Sequence, residues 1–258
     1  MLDWLQQDPW GFLHFMIYRA PAVLLALSLH ELAHGYVAYR CGDSTAKDLG
    51  RLTLNPLKHL DLIGTISMFL MGIGWAKPVP VNPARFRNGR MDDLKVSLAG
   101  VTTNFILFII ATVLSIVIST SLYTLEAKAY FGLEFFLGFQ QNGFHLQLFP
   151  EYEPILSDLL KTPWLLHVQR FLLQLALVNL GMGLFNLLPI PPLDGFHVVN
   201  DILFKGKINL GGQIFRFTHI ALLILLFTTN FVGNWVSKAI YGVQGFILPL
   251  LLKIFQAG

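Results

Sequence analysis

Charge is what this 258-residue sequence has least of. Only 13% of its residues are Asp, Glu, Lys or Arg, against about 25% in a typical soluble domain. With 54% hydrophobic residues and a mean hydropathy of +0.60, that scarcity excludes an ordinary soluble domain and leaves an integral membrane protein. Cysteine is scarcer still. The single Cys41 excludes an intramolecular disulfide and a zinc–thiolate site built from this chain alone. Net charge is only +3, and the basic residues cluster where membrane topology would place them, so nucleic acid is not an expected partner. Met1–Trp10 holds Asp3 and Asp8 and lacks a basic n-region, so no removable signal peptide is expected. Repeats and low-complexity stretches are lacking too. The expectation is one membrane domain over residues 1–258, with a core of about 11–205 and C-terminal membrane helices over about 214–256.

What is present is a series of apolar runs. The first covers Gly11 to Arg40, with Pro21 as a kink or start and Cys41-Gly42-Asp43 as its end. A second runs from Val96 to Leu125 without a charged residue, and a third from Trp164 to Leu188. The last, Phe217 to about Phe255, is expected to divide at Lys238. Between the first two runs, Leu49–Pro56 alternates like a short strand. Leu62–Ala76 is charge-free but too short for a span, which predicts a re-entrant or interfacial segment. Trp75–Pro83, with prolines at alternating positions, predicts an extended path. The fold class read from this is an all-α polytopic membrane protein of four to five transmembrane helices, with a re-entrant, β-like segment between the first and second. The connection Glu126–Pro163 is acidic, and its aromatic middle, Tyr130–Phe149, is expected to rest on the bilayer surface.

Two polar motifs interrupt these apolar runs. His30-Glu31-Leu32-Ala33-His34 lies in the first, and residues four apart share one helix face, so His30 and His34 are able to grip one ion. Glu31 is placed to take a proton from a water at that ion. Imidazoles and a carboxylate in a membrane-type helix are expensive and need a functional or pairing reason. The second motif ends the third run: Asn186-Leu187-Leu188-Pro189-Ile190-Pro191-Pro192-Leu193-Asp194-Gly195, where prolines stop the helix and present Asp194 from a rigid bend. Nine of the eighteen Lys and Arg residues fall between Arg40 and Lys95, which predicts that connection to be cytoplasmic and Glu126–Pro163 external. The His34 end of the first run and Asp194 then share the cytoplasmic side. Two histidines and an aspartate give three metal ligands with one position open, the arrangement of a catalytic rather than a structural zinc.

These residues resemble the site-2 proteases, a family of intramembrane zinc metalloproteases. The likeness rests on His30-Glu31-Leu32-Ala33-His34, on Gly100-x-x-x-Asn104 in the second run, and on Asn186-Leu187-Leu188-Pro189 with Leu193-Asp194-Gly195 closing the third. Gly50-Arg51-Leu52-Thr53-Leu54-Asn55-Pro56 with Trp75–Asn82 is similar to the compact prokaryotic branch, without extra soluble domains. Where relatives often read Ala-Gly-Pro, this chain has Ala99-Gly100-Val101, which bears on the local helix geometry there. The resemblance implies one catalytic Zn2+ on His30, His34 and Asp194, Glu31 as general base and later proton donor, and Asn186 holding the substrate carbonyl or tetrahedral intermediate. It implies hydrolysis of a peptide bond in or near a transmembrane segment of a membrane protein substrate, in the cell membrane, with the active site toward the cytoplasm. Gly50, Leu52, Thr53, Leu54 and Asn55 are expected to bind substrate as an added strand, with Asn104 and His197 as further substrate contacts. A metal or ion transporter using the same ligands, and a non-catalytic scaffold for membrane helices, are the readings from other classes.

Overall fold

The computed structural model describes residues 2–71, 75–208, 210 and 212–256. Among these the regular structure is helical: α1 (Leu2–Gln7), α2 (Pro9–Arg40), α3 (Thr45–Asp48), α4 (Leu62–Met71), α5 (Arg90–Leu122), α6 (Leu125–Leu137), α7 (Asn142–Leu148), α8 (Glu153–Ser157), α9 (Leu165–Asn186), α10 (Asp194–Leu203), α11 (Gly212–Thr228) and α12 (Phe231–Gln256). Four described helices, α2, α5, α9 and α12, are long and apolar enough to cross a membrane.

Local chemistry sets the ends of the long helices. Asp8 caps α2 by accepting from the Gly11 amide at 2.9 Å, and Pro9 fits the first turn, where its missing N–H is no loss. Pro21 neither starts nor ends α2, which runs through it. Past Arg40, Gly42 turns the chain at φ +112°, a backbone conformation suited to glycine. α5 begins with Asp92 and Asp93 in its first turn, where negative charge suits the helix dipole. It continues unbroken past Gly100, so Ala99-Gly100-Val101 leaves the helix intact.

α2, α5 and α9 form the central bundle, with α10 lying along α5 and α12 outside α9. Small residues let these helices approach closely. A Cβ at Gly183 would lie 3.5 Å from the Asn104 Cβ, so α9 passes directly over α5 at that depth.

Several sequence expectations need correction. Leu49–Pro56 is not a strand. No strand occurs among the described residues, where only two isolated bridges form, Leu60 with Ala76 and Tyr123 with Leu160. Polar side chains take up the loop's hydrogen bonds in place of a partner strand: His59 Nε2 bonds the Thr53 carbonyl at 2.8 Å, and Asn55 Oδ1 caps the following turn at Leu57. The expected re-entrant or interfacial segment Leu62–Ala76 is not among these corrections: its first ten residues form α4, and residues 72–74 lie outside those described. The aromatic middle of Glu126–Pro163 packs inward: Phe136, Phe139 and Phe144 are buried in the main core, while Tyr130 is exposed. The last apolar run breaks at Thr229-Asn230 rather than at Lys238, which lies inside α12. A single lysine on a long helix reaches water by its flexible stem and need not end the helix.

Candidate metal centre

His30 and His34 project from one face of α2, and Asp194 reaches them from the first residue of α10. The bend that delivers Asp194 folds tightly back on the end of α9, since a Cβ at Gly195 would lie 2.2 Å from the Leu187 carbonyl oxygen. His30 Nε2 and His34 Nε2 stand 3.0 Å apart, and each lies within 3.4 Å of Asp194 Oδ2. Both histidines are buried and the aspartate nearly so. This is the one His/Cys/Asp/Glu cluster with metal-binding geometry among the described residues.

The donor set can be tested by its protons. His34 Nδ1 meets the Val96 carbonyl oxygen at 2.7 Å. A carbonyl only accepts, so Nδ1 carries the ring proton and a neutral ring leaves Nε2 bare toward Asp194. Asp194 Oδ2 is buried without a hydrogen-bond donor. Electron pairs thus converge on a site with too few protons to satisfy them. A cation of zinc's ligand preference fits that imbalance.

Close packing holds the two rings in place. A Cβ at Gly100 would fall 2.4 Å from His34 Nε2 and 2.5 Å from His30 Cε1, so only glycine lets α5 lie against both rings. Four residues along α5, Asn104 Oδ1 meets His30 Nδ1 at 2.5 Å, while Asn104 Nδ2 donates to Asn179 Oδ1 on α9 at 2.8 Å. Both ends of its amide are engaged and the residue is fully buried, so Asn104 contacts His30 on one side and Asn179 on the other. Sequence reading missed Asn179. Its signal was a lone amide within the apolar stretch Leu175–Leu184, which demands a partner.

Glu31 follows His30 on α2, and its Oε2 accepts the Val79 amide at 2.8 Å. Val79 lies in the extended path predicted by the prolines, and the neighbouring loops fasten that path. Arg51 donates to the Lys77 and Pro78 carbonyls at 2.8 and 3.3 Å, and Asp43 Oδ2 accepts from the Asn82 amide at 2.6 Å. Burial alone would raise the Asp43 carboxyl, but the hydrogen bonds from Asn82 and Thr45 outweigh it and hold the group below its ordinary range. Leu52 and Val79 fill the gap beside Gly35, closing the path over the histidine turn.

The remaining expected residues lie outside the cluster. Asn186 Nδ2 donates to the Met182 carbonyl of its own helix at 3.0 Å. His197, one turn after Asp194, acts electrostatically on Asp93 and Asp201. Thr53 and Asn55 are engaged in the loop's own turns, Leu54 is exposed, and Gly50, at φ +64°, faces open space.

Comparison with known proteins joins this geometry to a family. Residues 18–227 match peptidase family M50. The chain belongs to that family, the site-2 proteases. It is 35% identical to a Bacillus subtilis protein named "Putative zinc metalloprotease YwhC", across 95% of each chain. It is 32% identical over 117 residues to the Mycolicibacterium smegmatis protein named "Putative zinc metalloprotease Rip2", covering 42% of this chain and 45% of that one. No solved structure matches the chain. M50 membership makes the protein an intramembrane zinc metalloprotease, and neither the transporter nor the scaffold reading finds support.

Proposed function

We propose that His30, His34 and Asp194 hold the catalytic Zn2+ and that Glu31 is the general base in cleaving membrane protein substrates. One observation carries this: bare electron pairs converge on a buried centre whose α2 histidines flank a carboxylate. Zinc, when bound, polarises the scissile carbonyl and acidifies the attacking water. Glu31 Oε1 receives that water's proton while Oε2 stays on the Val79 amide, and the carboxyl then delivers the proton to the leaving nitrogen. Asn186 steadies the substrate carbonyl oxygen after turning its Nδ2 away from Met182.

The scissile bond must be extended, because a helix hides its carbonyls in its own hydrogen bonds. Gly50, Leu52, Thr53, Leu54 and Asn55 border its path as a loop, with exposed Leu54 offering apolar contact and His197 approaching from α10. The Arg40–Lys95 connection carries nine basic residues and is assigned to the cytoplasmic face of the cell membrane, the site with it. α4 spans about 15 Å, half a bilayer core, and is assigned as the re-entrant segment, with exposed Leu62, Ile63 and Ile66 toward lipid. Residues 11–205 form the protease core of one domain over 1–258, to which the C-terminal helices of about 214–256 are appended.

Glu31→Gln tests the assignment. The purified variant is expected to keep its zinc while cleavage of a reporter membrane substrate falls about 10²- to 10⁴-fold. Activity within about tenfold of wild type would remove Glu31 from the role.

A further inference from the structure

We infer that Asn179 is a positioning residue for the metal centre, setting the proton on His30 through Asn104 without touching the ion. The inference rests on His30 being a zinc ligand and follows from polarity alone. It begins at the Leu175 carbonyl of α9, an atom that can only accept. Asn179 Nδ2 lies 2.8 Å from that oxygen, so the NH2 end of the Asn179 amide must face it. Asn179 Oδ1 is then fixed toward α5, where it accepts from Asn104 Nδ2 at 2.8 Å. Asn104 cannot flip without setting its own oxygen against that of Asn179. Its Oδ1 is therefore committed to His30 Nδ1, at 2.5 Å. An oxygen facing Nδ1 requires the proton there, and the neutral ring is left with its bare nitrogen, Nε2, toward Asp194.

The two histidines thus reach one protonation pattern by different routes. His34 takes it directly from the backbone carbonyl of Val96. His30 Nδ1 has no backbone carbonyl partner among the described residues and takes it at third hand, across three helices. Both asparagines are fully buried, so no water replaces a missing partner. Removing Asn179 leaves the Asn104 amide free to turn its NH2 toward His30, a donor against a nitrogen that must itself donate.

The test is zinc affinity by chelator competition on full-length protein in detergent, with melting followed in parallel. Asn179→Leu, similar in shape but without polarity, is expected to weaken zinc by about 10- to 100-fold while still melting cooperatively. Asn179→Thr keeps a donor for Leu175 and an acceptor for Asn104 and is expected to stay within about threefold of wild type. Asn104→Asp added to Asn179→Leu should recover most of the loss, because a carboxylate has only acceptors to offer His30 and needs no orienting partner. Unchanged zinc affinity in Asn179→Leu overturns the inference, as does a folded double variant without recovery. If Asn179→Leu does not fold, Asn179→Ala is read in its place, where a zinc loss of about tenfold or more supports the inference and affinity within about threefold of wild type overturns it. His30→Ala separates the two levels. Zinc retained there removes the ligand assignment and this inference together, whereas zinc lost there but unchanged in Asn179→Leu removes the inference alone.

Discussion

Two polar clusters, one half-buried around His14 and one buried around His34, sit along the same helices and have opposite proton balance. His14 and His34 are 20 residues apart on α2, about 30 Å. Around His14 donors are in excess: with Arg170 donating to Nε2, the His14 Nδ1 proton has no hydrogen-bond partner among the described residues. Arg170, fully buried, gives Nε to the Gln147 carbonyl at 2.5 Å, one guanidinium nitrogen to His14 Nε2 at 3.2 Å and the other to Glu153 at 2.8 Å. Gln147 in turn donates to the Phe136 and Gly143 carbonyls and accepts from Tyr123. Around His34 no such donor is found among the described residues, and carboxylate and imidazole electron pairs face one another. A histidine's place in a polar cluster is therefore uninformative by itself. What separates a candidate ligand from a structural histidine is the sign of the imbalance, a surplus proton at His14 and surplus electron pairs at His34.

Three experiments bear on that contrast. The largest expected effect is at Gly100→Ala, whose methyl group would displace both rings. Zinc content and cleavage should fall together, activity by about 10²-fold for a shift of order 1 Å. Full zinc content and activity in that variant would mean the rings have room that the packing denies them. Next, Arg170→Met should remove about 1–3 kcal/mol of stability by orphaning the Gln147 carbonyl and Glu153, seen as a lower melting temperature. Zinc stoichiometry should not change, and a variant that lost zinc would show that the two clusters are coupled. The smallest effect concerns Asp43, whose folded carboxyl is held below its ordinary range. Its contribution is present above about pH 5 and fades as acid titrates the folded state. The melting difference between wild type and Asp43→Asn should therefore narrow on acidification, and a gap that widened would reverse the sign assigned to its hydrogen bonds.

The cluster of His30, His34 and Asp194 could be read from sequence because metal binding demands specific side chains at helical spacing, and because a bend rich in proline advertises itself. Asn179 could not be linked to Asn104, since 75 residues separate them and pairing across helices has no local signature. Leu49–Pro56 misled for a different reason. Alternation marks a strand only when a partner is available, and here Arg51 and His59 supply by side chain what a neighbouring strand would supply by backbone. The aromatic run Tyr130–Phe149 misled because phenylalanines suit a protein core as well as a lipid surface, and only tertiary packing distinguishes them. Lys238 carried a charge that stops an apolar count without stopping a helix.

The Val79 amide on Glu31 has a practical consequence. Pro78 and Pro80 carry no amide hydrogen, so Val79 stands alone between two isotopically silent neighbours. Its rate of deuterium uptake is then a clock on how often the carboxylate is uncovered. A peptide occupying the site would change that clock's speed before any bond is cut.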